Sequence, residues 1–222
     1  MIIAIDGPSG AGKSTLAKKL AKALGFTYLD TGAMYRALAL KILRQGVDLA
    51  DDMKLVPLVN STAVDLRGDA AELQVLLDGI NVAAEIRTPA VSQMASKASA
   101  LKIVRDRMLE LQRRLGRQGN VVAEGRDIGT VVFPDAQVKI FLSASAAERA
   151  RRRFAELQAA GEAVDLEATL REIEERDKRD SERELAPLRK ADDAVVIDSS
   201  TSTADEVAAS VLAEIRMKQN EI

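Results

Sequence analysis

A phosphate-binding loop near the N-terminus is the most specific chemical signal in the sequence. Residues 7–14 read Gly-Pro-Ser-Gly-Ala-Gly-Lys-Ser and match the pattern G-x-x-x-x-G-K-[ST]. They follow a short apolar run, residues 2–5, and open a helix-like segment, residues 13–24. This context separates a true P-loop from a bare glycine-rich turn. The pattern predicts that the phosphates of a nucleotide are bound by Gly7, Pro8, Ser9, Gly10, Ala11, Gly12, Lys13, Ser14 and Thr15.

Each part of this loop has a physical reason to hold phosphate. Glycines let the backbone wrap an anion with its N–H groups pointing inward, and the helix N-terminus adds a positive dipole. Lys13 would bridge the terminal phosphates, and the Ser14 hydroxyl would hold Mg²⁺ together with nucleotide oxygens. No Asn in the chain is followed by Lys, so the Asn-Lys-x-Asp motif expected of a switch GTPase is missing. The classes of P-loop protein that remain are ATPases and small kinases.

The composition narrows the chemistry further. The 222-residue chain contains no His and no Cys, which excludes imidazole bases, thiolate nucleophiles and disulfides. Phosphoryl transfer fits what remains, because its catalysis is mostly positioning and charge stabilisation. A net charge of −2 and 3% aromatic residues give no support for nucleic-acid binding. With no long apolar run and no secretory signal, we expect a cytoplasmic protein without membrane or nucleic-acid partners.

Short apolar runs alternate with helix-like segments along the chain. The predicted strands are residues 2–5, 26–29, 121–123, 138–142 and 194–197. The predicted helices are residues 13–24, 33–43, 90–115, 146–159, 166–184 and 204–217. This alternation predicts an α/β fold with a five-stranded parallel sheet flanked by helices. A small antiparallel insertion is predicted at about residues 60–88, with strands at 64–67, 73–77 and 80–82 and a hairpin turn at Asp78-Gly79.

Two polar clusters follow predicted strands and are expected to face the P-loop. Residues 30–36 read Asp-Thr-Gly-Ala-Met-Tyr-Arg, and residues 124–130 read Glu-Gly-Arg-Asp-Ile-Gly-Thr. In open α/β sheets, ligands gather at the carboxyl ends of the strands. Two groups of arginines lie downstream, namely Arg176, Arg179 and Arg183, and Arg149, Arg152 and Arg153. Each arginine alone also fits a solvated helix face, but a reaction that joins two phosphates needs several cations.

Together these motifs resemble the bacterial cytidylate kinases of the P-loop nucleoside monophosphate kinase group. The resemblance rests on residues 30–36, on Glu-Ile-Arg-Thr at 85–88, and on residues 124–136, 175–183 and 186–188. It spans nearly the whole chain, and the antiparallel insertion is similar to the extra piece that these kinases carry. The resemblance implies a P-loop nucleoside kinase fold, transfer of a phosphoryl group from ATP to CMP or dCMP with Mg²⁺, a place in pyrimidine metabolism, and a monomer.

Carried over by motif, the resemblance implies roles for particular residues. The expected CMP-binding residues are Thr31, Arg36, Arg126 and Arg183 for the phosphate, Arg176 and Asp180 for the ribose, Ser96, Arg105 and Asp127 for the cytosine, and Tyr35 in the same site. The expected catalytic residues are Lys13, Arg126, Arg183 and Arg153, and Arg149 and Arg153 are expected to bind ATP. Glu124 stands where other family members can carry Asp. Two roles stay open for it: it could support Mg²⁺ through a water molecule, or it could orient Arg126.

The cytosine assignment agrees with the chemistry of the base. Cytosine presents an amino donor at N4 beside acceptors at N3 and O2, so Asp127 can accept from N4 while Arg105 and Ser96 donate. Uracil reverses that edge and would leave buried groups unpaired, so we expect CMP to be preferred over UMP.

The expected organisation is one P-loop kinase domain over residues 1–222. Its core comprises residues 1–30 and 116–222, with a monophosphate-binding region at about 31–115 and a lid at about 149–165. Both are expected to close over the substrates, because water competes with CMP for the phosphoryl group. The alternatives are a kinase for another small molecule, such as a different nucleoside monophosphate, and a nucleotide-dependent interaction module. Such a module needs a surface that binds a partner, and the sequence contains no long apolar patch, coiled-coil heptad or basic tail to provide one.

Overall fold

The apolar runs of the sequence form strands in the computed structural model, which describes residues 1–117 and 119–220. The strands are β1 (Ile2–Asp6), β2 (Thr27–Asp30), β3 (Val64–Arg67), β4 (Gln74–Leu77), β5 (Ile80–Asn81), β6 (Val121–Gly125), β7 (Val138–Ser143) and β8 (Val195–Asp198). The helices are α1 (Lys13–Leu24), α2 (Thr31–Gln45), α3 (Asp52–Ser61), α4 (Pro89–Ala98), α5 (Lys102–Gly116), α6 (Ala146–Ala159), α7 (Leu166–Glu182) and α8 (Ala204–Asn220). Within the described ranges, no helix is both long and apolar enough to cross a membrane.

The main sheet has the predicted five parallel strands, in the order β2-β6-β1-β7-β8. Strand β1 therefore lies at the centre, between β6 and β7. Because all five strands run the same way, their carboxyl ends meet at one edge of the sheet. The P-loop and the two polar clusters predicted from the sequence all begin at this edge.

Both faces of the sheet are covered, as a parallel sheet requires. Successive residues of β1 point to opposite faces, so Ala4 packs in one core while Ile3 and Ile5 pack in the other. The first core is completed by α2, α4 and α5, and the second by α1 and α8. The alternation of strands and helices in the sequence thus gives three layers, and the α/β prediction is confirmed.

The predicted antiparallel insertion is confirmed as a three-stranded sheet of order β3-β4-β5. Its tight turn is made by Asp78 and Gly79, whose φ angles of 49° and 88° are both positive. Two positive φ angles match the twist of a hairpin, which explains the Asp-Gly sequence. The Asp78 carboxylate also forms a 2.6 Å ion pair with Lys41, and this pair fastens the insertion to α2.

The single helix predicted over residues 90–115 is wrong, because α4 and α5 are separate helices. Leu101 between them has extended backbone angles of φ −82° and ψ 132°. The Ser99 hydroxyl donates a 2.8 Å hydrogen bond to the Ser96 carbonyl and caps the end of α4 with a local bond. No Gly or Pro marks this break, so the helical pattern of the sequence runs through it.

Helix α3 was not predicted from the sequence. The Asp51 side chain accepts a hydrogen bond from the Lys54 backbone N–H and caps the helix. Leu55, Leu58 and Val59 are buried at the spacing of one helix face. Pro57 lies inside the helix, and a proline at such a position weakens the sequence signal for a helix.

Truncation of a buried leucine in α2 tests the packing of the first core. Leu38 has no exposed surface, whereas Leu43 on the same helix is 38% exposed. We expect Leu38→Ala to lower the free energy of unfolding by about 2–5 kcal/mol, because it leaves a cavity. Leu43→Ala is the matched control and should change it by less than about 1 kcal/mol. Urea denaturation measures both, and equal effects would contradict the assigned core.

Candidate active site

The structure brings the predicted site residues to the carboxyl edge of the main sheet and to the helices above it. The P-loop holds Gly7, Pro8, Ser9, Gly10, Ala11 and Gly12, and the first turn of α1 holds Lys13, Ser14 and Thr15. Thr31, Tyr35 and Arg36 lie on α2, Ser96 on α4, and Arg105 on α5. Arg126 and Asp127 follow β6, Arg149 and Arg153 lie on α6, and Arg176 and Asp180 lie on α7 with Arg183 directly after it.

The P-loop turns sharply between β1 and α1, and two of its glycines are required by that turn. Gly7 has a φ of 148°, and a Cβ atom there would lie 2.0 Å from the Leu142 carbonyl oxygen. Gly12 has a φ of 91° directly before α1. Side chains at these positions would clash or strain the backbone, so the loop needs glycine to pass close to β7 and enter the helix.

Lys13 is folded over the P-loop that precedes it. Its ammonium group donates a 2.7 Å hydrogen bond to the Pro8 carbonyl oxygen, and only 6% of the residue is exposed. Burial lowers the pKa of Lys13, and the nearby positive charge of Arg126 lowers it further. A buried cation whose charge is disfavoured in this way gains strongly from an anion beside it.

Arg149 braces the P-loop from α6. Its guanidinium donates to the Ser9 carbonyl at 3.1 Å and to the Ala144 carbonyl at 2.9 Å. It also forms a 2.6 Å ion pair with Asp177 of α7. Arg149 thus reaches the loop through its backbone, and direct contact of Arg149 with ATP stays a prediction.

Asp6 was missed by the sequence reasoning, although it ends β1 directly before the P-loop. Its buried carboxylate accepts hydrogen bonds from the backbone N–H groups of Ile128 and Gly129, at 2.8 and 2.7 Å. These two residues follow Arg126 and Asp127, so Asp6 fixes the loop that carries them. Burial raises the pKa of Asp6 to about 6. The sequence signal that could have identified Asp6 is its position as a carboxylate at the end of the strand that leads into the P-loop.

Glu124 lies buried at the end of β6, between the P-loop and α2. Its carboxylate accepts a hydrogen bond from the Tyr28 hydroxyl, and its backbone carbonyl accepts one from the Thr31 hydroxyl at 2.6 Å. Burial raises the pKa of Glu124, and the neighbouring Asp30 raises it further. Arg126 has Asp180 as its carboxylate partner. The Ser14 side chain acts to lower the pKa of Glu124, and both roles left open for Glu124 stay predictions.

Several cations converge opposite the P-loop. Burial, together with the charge of Arg126, lowers the pKa of Arg176 to about 10. Arg36 and Arg153 act on Arg176 in the same sense. The Nε atom of Arg176 is buried and has no hydrogen-bond partner among the described residues, and it lies 3.9 Å from the nearer oxygen of Asp180. Arg176 therefore keeps a buried donor that no group among the described residues satisfies.

Asp180 is the main counter-charge of this cluster. Its carboxylate accepts a 2.9 Å hydrogen bond from Arg126 Nε. Burial acts to raise the pKa of Asp180, but Arg126, Arg176 and Arg183 outweigh burial, and the pKa lies below its ordinary value. The carboxylate thus stays ionised and holds the arginines in place.

A second cluster surrounds Asp127. Its carboxylate accepts hydrogen bonds from Arg105 and, at 3.3 Å, from Arg183 Nη2. The Tyr35 ring lies 6.0 Å from the Arg105 guanidinium, and burial raises the pKa of Tyr35 to about 12. Ser96 faces Arg179 of α7 instead, at 3.4 Å between the Ser hydroxyl and Arg Nε. The residues expected to read a cytosine are thus assembled, but Asp127 and Arg105 are paired with each other.

A cavity lies on the opposite side of the P-loop, next to the first turns of α1 and α8. It encloses about 230 Å³ and is lined in part by Gly12, Thr15, Arg152, Ser202 and Val207. Arg152 donates a 2.6 Å hydrogen bond to the Ser199 carbonyl and so ties α6 to the loop after β8.

A P-loop at the centre of a parallel sheet, with a ring of cations facing it, defines a P-loop kinase. The comparisons with known proteins agree. A model of the family described as cytidylate kinase matches residues 3–217. The chain is 53% identical over 220 residues to a cytidylate kinase of Pelotomaculum thermopropionicum, covering 99% of this chain and 97% of that one. It is 51% identical over 223 residues to a cytidylate kinase of Carboxydothermus hydrogenoformans, covering 100% of both. The chain belongs to the cytidylate kinase family.

A solved structure supports the fold alone. An uncharacterised protein of Eubacterium ventriosum superimposes with a TM-score of 0.52 at 16% identity, over 97% of this chain and 98% of that one.

Removal of the Asp180 charge tests the assigned counter-charge. We expect Asp180→Asn to lower the free energy of unfolding by about 3 kcal/mol at pH 7, because Arg126 loses its buried partner. The pKa of Asp180 in the folded protein lies below the ordinary 3.8. The wild type therefore keeps this stabilisation above about pH 4 and loses it as the pH falls through the folded-state pKa, whereas the variant has no carboxyl group to protonate.

The measurement is urea denaturation of both proteins between pH 7 and pH 3. The stability gap should narrow as the pH falls below about 4. Glu172→Gln, at an exposed position of the same helix, is the control and should show a small gap at every pH. A gap of constant size for Asp180→Asn would contradict the assignment.

Proposed function

We propose that this chain transfers the γ-phosphoryl group of ATP to the phosphate of CMP or dCMP. The observation that carries the proposal is the convergence of buried cations between the P-loop and the polar cluster after β6. Lys13 and Arg176 each have a lowered pKa, and Arg126 contributes to both shifts. Such a cluster is costly without an anion and is suited to two phosphates that must approach each other. Membership of the cytidylate kinase family supports CMP as the acceptor.

The P-loop is the proposed donor site. Its backbone N–H groups and Lys13 would hold the β- and γ-phosphates of ATP, with Arg149 keeping the loop in shape. The cavity beside Gly12 and Thr15 offers room for the rest of the nucleotide, with Arg152 at its wall.

The residues at the start of α1 suit Mg²⁺. Ser14 offers a hydroxyl oxygen, and the Glu124 carboxylate next to it could bind a water of the metal. No group of three or more acidic side chains among the described residues is arranged to hold a metal. Mg²⁺ usually keeps several waters and binds through substrate phosphates, so one hydroxyl and one nearby carboxylate fit it. When bound, the ion would supply charge neutralisation at the β- and γ-oxygens.

The transfer step needs no strong general base. The acceptor phosphate is already an anion at pH 7, which agrees with a chain that contains no His. Lys13, Arg126, Arg153 and Arg183 are the proposed catalytic residues, and they would neutralise charge that spreads over the transferring group. Arg36 and Thr31 would hold the acceptor phosphate, and Arg176 with Asp180 would bind the ribose. The unpartnered Nε atom of Arg176 supports this role.

Cytosine recognition is proposed for Asp127, Arg105 and Ser96, with Tyr35 packed beside them. An ionised carboxylate offers about four acceptor positions, so Asp127 can accept from cytosine N4 while it keeps an arginine partner. Arg105 and Ser96 would donate to the acceptor atoms of the base. Uracil has no amino group at this edge, and its O4 would face the carboxylate without a proton between them.

Closure of two parts of the molecule completes the proposal. Residues 31–115 would bind the monophosphate and residues 149–165 would act as a lid over a core of residues 1–30 and 116–222. The hydrogen bond of Arg179, in the core, with Ser96, in the monophosphate-binding region, supports an approach of these two parts. The proposed enzyme is a cytoplasmic monomer that acts in pyrimidine nucleotide metabolism.

The lysine of the P-loop is the first residue to test. We expect Lys13→Ala to lower kcat by at least about 100-fold, because a preorganised cation at the transferring group is removed. Lys22→Ala, an exposed lysine on the same helix, is the control and should keep normal turnover. Coupled assays of ADP release measure both proteins, and circular dichroism checks that they fold. Near-normal turnover of Lys13→Ala would remove this residue from the catalytic set.

The acceptor is tested with a panel of CMP, dCMP, UMP, AMP and GMP, each with ATP and Mg²⁺. We expect kcat/KM for CMP and dCMP to exceed that for UMP by about 10³-fold or more, because a hydrogen-bonding site rejects a base with a mismatched edge. Asp127→Asn should lose most of this preference. Comparable kcat/KM for CMP and UMP in the wild type would contradict the base assignment, and use of AMP alone would contradict the acceptor.

Closure is tested by small-angle X-ray scattering. We expect the radius of gyration to fall when CMP and a non-hydrolysable ATP analogue are both bound, and to change less with either one alone. An unchanged scattering profile at saturating concentrations of both ligands would contradict closure.

A further inference from the structure

Arg179 makes a contact across the site to which the proposed function assigns no role in base recognition. From α7, its Nη2 atom donates a 3.0 Å hydrogen bond to the Gln93 side-chain oxygen, and its Nε atom faces the Ser96 hydroxyl at 3.4 Å. Gln93 and Ser96 lie three residues apart on one face of α4. On its own helix, Arg179 has only a long ion pair of 3.9 Å with the exposed Glu175. The guanidinium is thus directed toward α4.

We propose that Arg179 is a positioning residue for base recognition, which holds the Ser96 hydroxyl in the orientation that donates to the base. The inference rests on the proposed function, since it concerns how the same site tells cytosine from uracil. Arg179 acts through Ser96 and does not itself touch the base.

The argument follows from the hydrogen-bonding capacity of the two groups. A guanidinium can only donate, whereas a serine hydroxyl has one proton and two lone pairs. Since Arg179 directs an N–H toward the Ser96 oxygen, the hydroxyl proton must point elsewhere. Ser96 is only 5% exposed, so this proton needs a partner within the site. The contact with Arg179 therefore biases the hydroxyl toward donating.

A fixed donor distinguishes the two pyrimidines. Cytosine N3 is an acceptor, while uracil carries a proton on N3 and presents a donor there. A serine hydroxyl that is free to rotate could donate to the first or accept from the second. With Arg179 beside it, one of the two lone pairs is occupied, so the hydroxyl accepts less readily from uracil N3–H and donation to cytosine N3 is favoured. Arg179 thus adds to the selectivity that the Asp127 carboxylate provides at the neighbouring position of the base.

The C-terminal end of α7 also contacts Asp127, the other group proposed to recognise the base. Arg183, four residues after Arg179, contacts the Ser99 hydroxyl at 3.5 Å and the Asp127 carboxylate at 3.3 Å. The Ser99 hydroxyl in turn donates to the Ser96 carbonyl at 2.8 Å. Ser96 is therefore fixed from two sides, through its side chain by Arg179 and through its backbone by Ser99.

A double-mutant cycle tests the proposal. It compares kcat and KM for CMP and UMP in the wild type, Arg179→Ala, Ser96→Ala and the double variant. We expect Arg179→Ala to raise KM for CMP about tenfold with little change in kcat, as for loss of a charge-assisted hydrogen bond that acts on binding. The CMP to UMP ratio of kcat/KM should fall by a similar factor. In the Ser96→Ala background, Arg179→Ala should have less than about a twofold effect.

Two further variants separate positioning from folding. Arg171→Ala removes an exposed arginine of the same helix, whose carboxylate partner Glu167 lies 3.7 Å away, and should leave all constants unchanged. Arg179→Lys keeps one charged donor and should recover part of the CMP to UMP ratio. Urea denaturation of every variant shows whether a loss of stability accompanies the kinetic change.

Three results would overturn the inference. The first is an equal effect of Arg179→Ala with and without Ser96, which would show independent action. The second is a loss confined to kcat, and the third is an unchanged CMP to UMP ratio. If the wild type does not phosphorylate CMP, the proposed function fails before any variant is made, and the inference fails with it.

Discussion

Mutual repulsion among buried cations is the constraint on which the rest of the site depends. Lys13 and Arg176 each lie in an environment that disfavours their charge, and the charge of Arg126 acts on both of them. Such a group stays together only if the backbone around it is rigid and a few carboxylates are placed within it. The parallel sheet supplies the rigidity, because the strand ends that carry the P-loop and Arg126 are adjacent in the sheet.

Each buried carboxylate holds a different part of the site. Asp180 holds the arginines of α7 and of the loop after β6, and Asp127 holds Arg105 and Arg183. Asp6 has no such ion pair within the part of the chain that the structure describes, and it fixes the loop that follows β6 through two backbone N–H groups. The site is therefore ordered before a substrate enters. This lowers the entropy cost of binding, because fewer side chains must be immobilised when the substrate arrives.

The sequence predicted the sheet, the insertion and the P-loop because their signals are local. Apolar runs, an Asp-Gly turn and a glycine-rich motif each depend on neighbouring residues. The break between α4 and α5 was missed because a Ser99 hydroxyl bond makes it, without Gly or Pro. The motifs named Asp127, Arg105 and Arg183 but not their pairing, since these residues are far apart in the chain. The contact of Arg179 with Gln93 depends on how α7 packs against α4, which no local pattern records.

The brace made by Arg149 determines how the helical hairpin of α6 and α7 can move. Arg149 lies near the start of α6 and donates to the Ser9 carbonyl of the P-loop, and its partner Asp177 lies near the end of α7. The base of the hairpin is thus held at the P-loop, and the connection at residues 160–165 is the end furthest from this attachment. A small rotation at the base moves the tip furthest and leaves the phosphate-binding loop undisturbed.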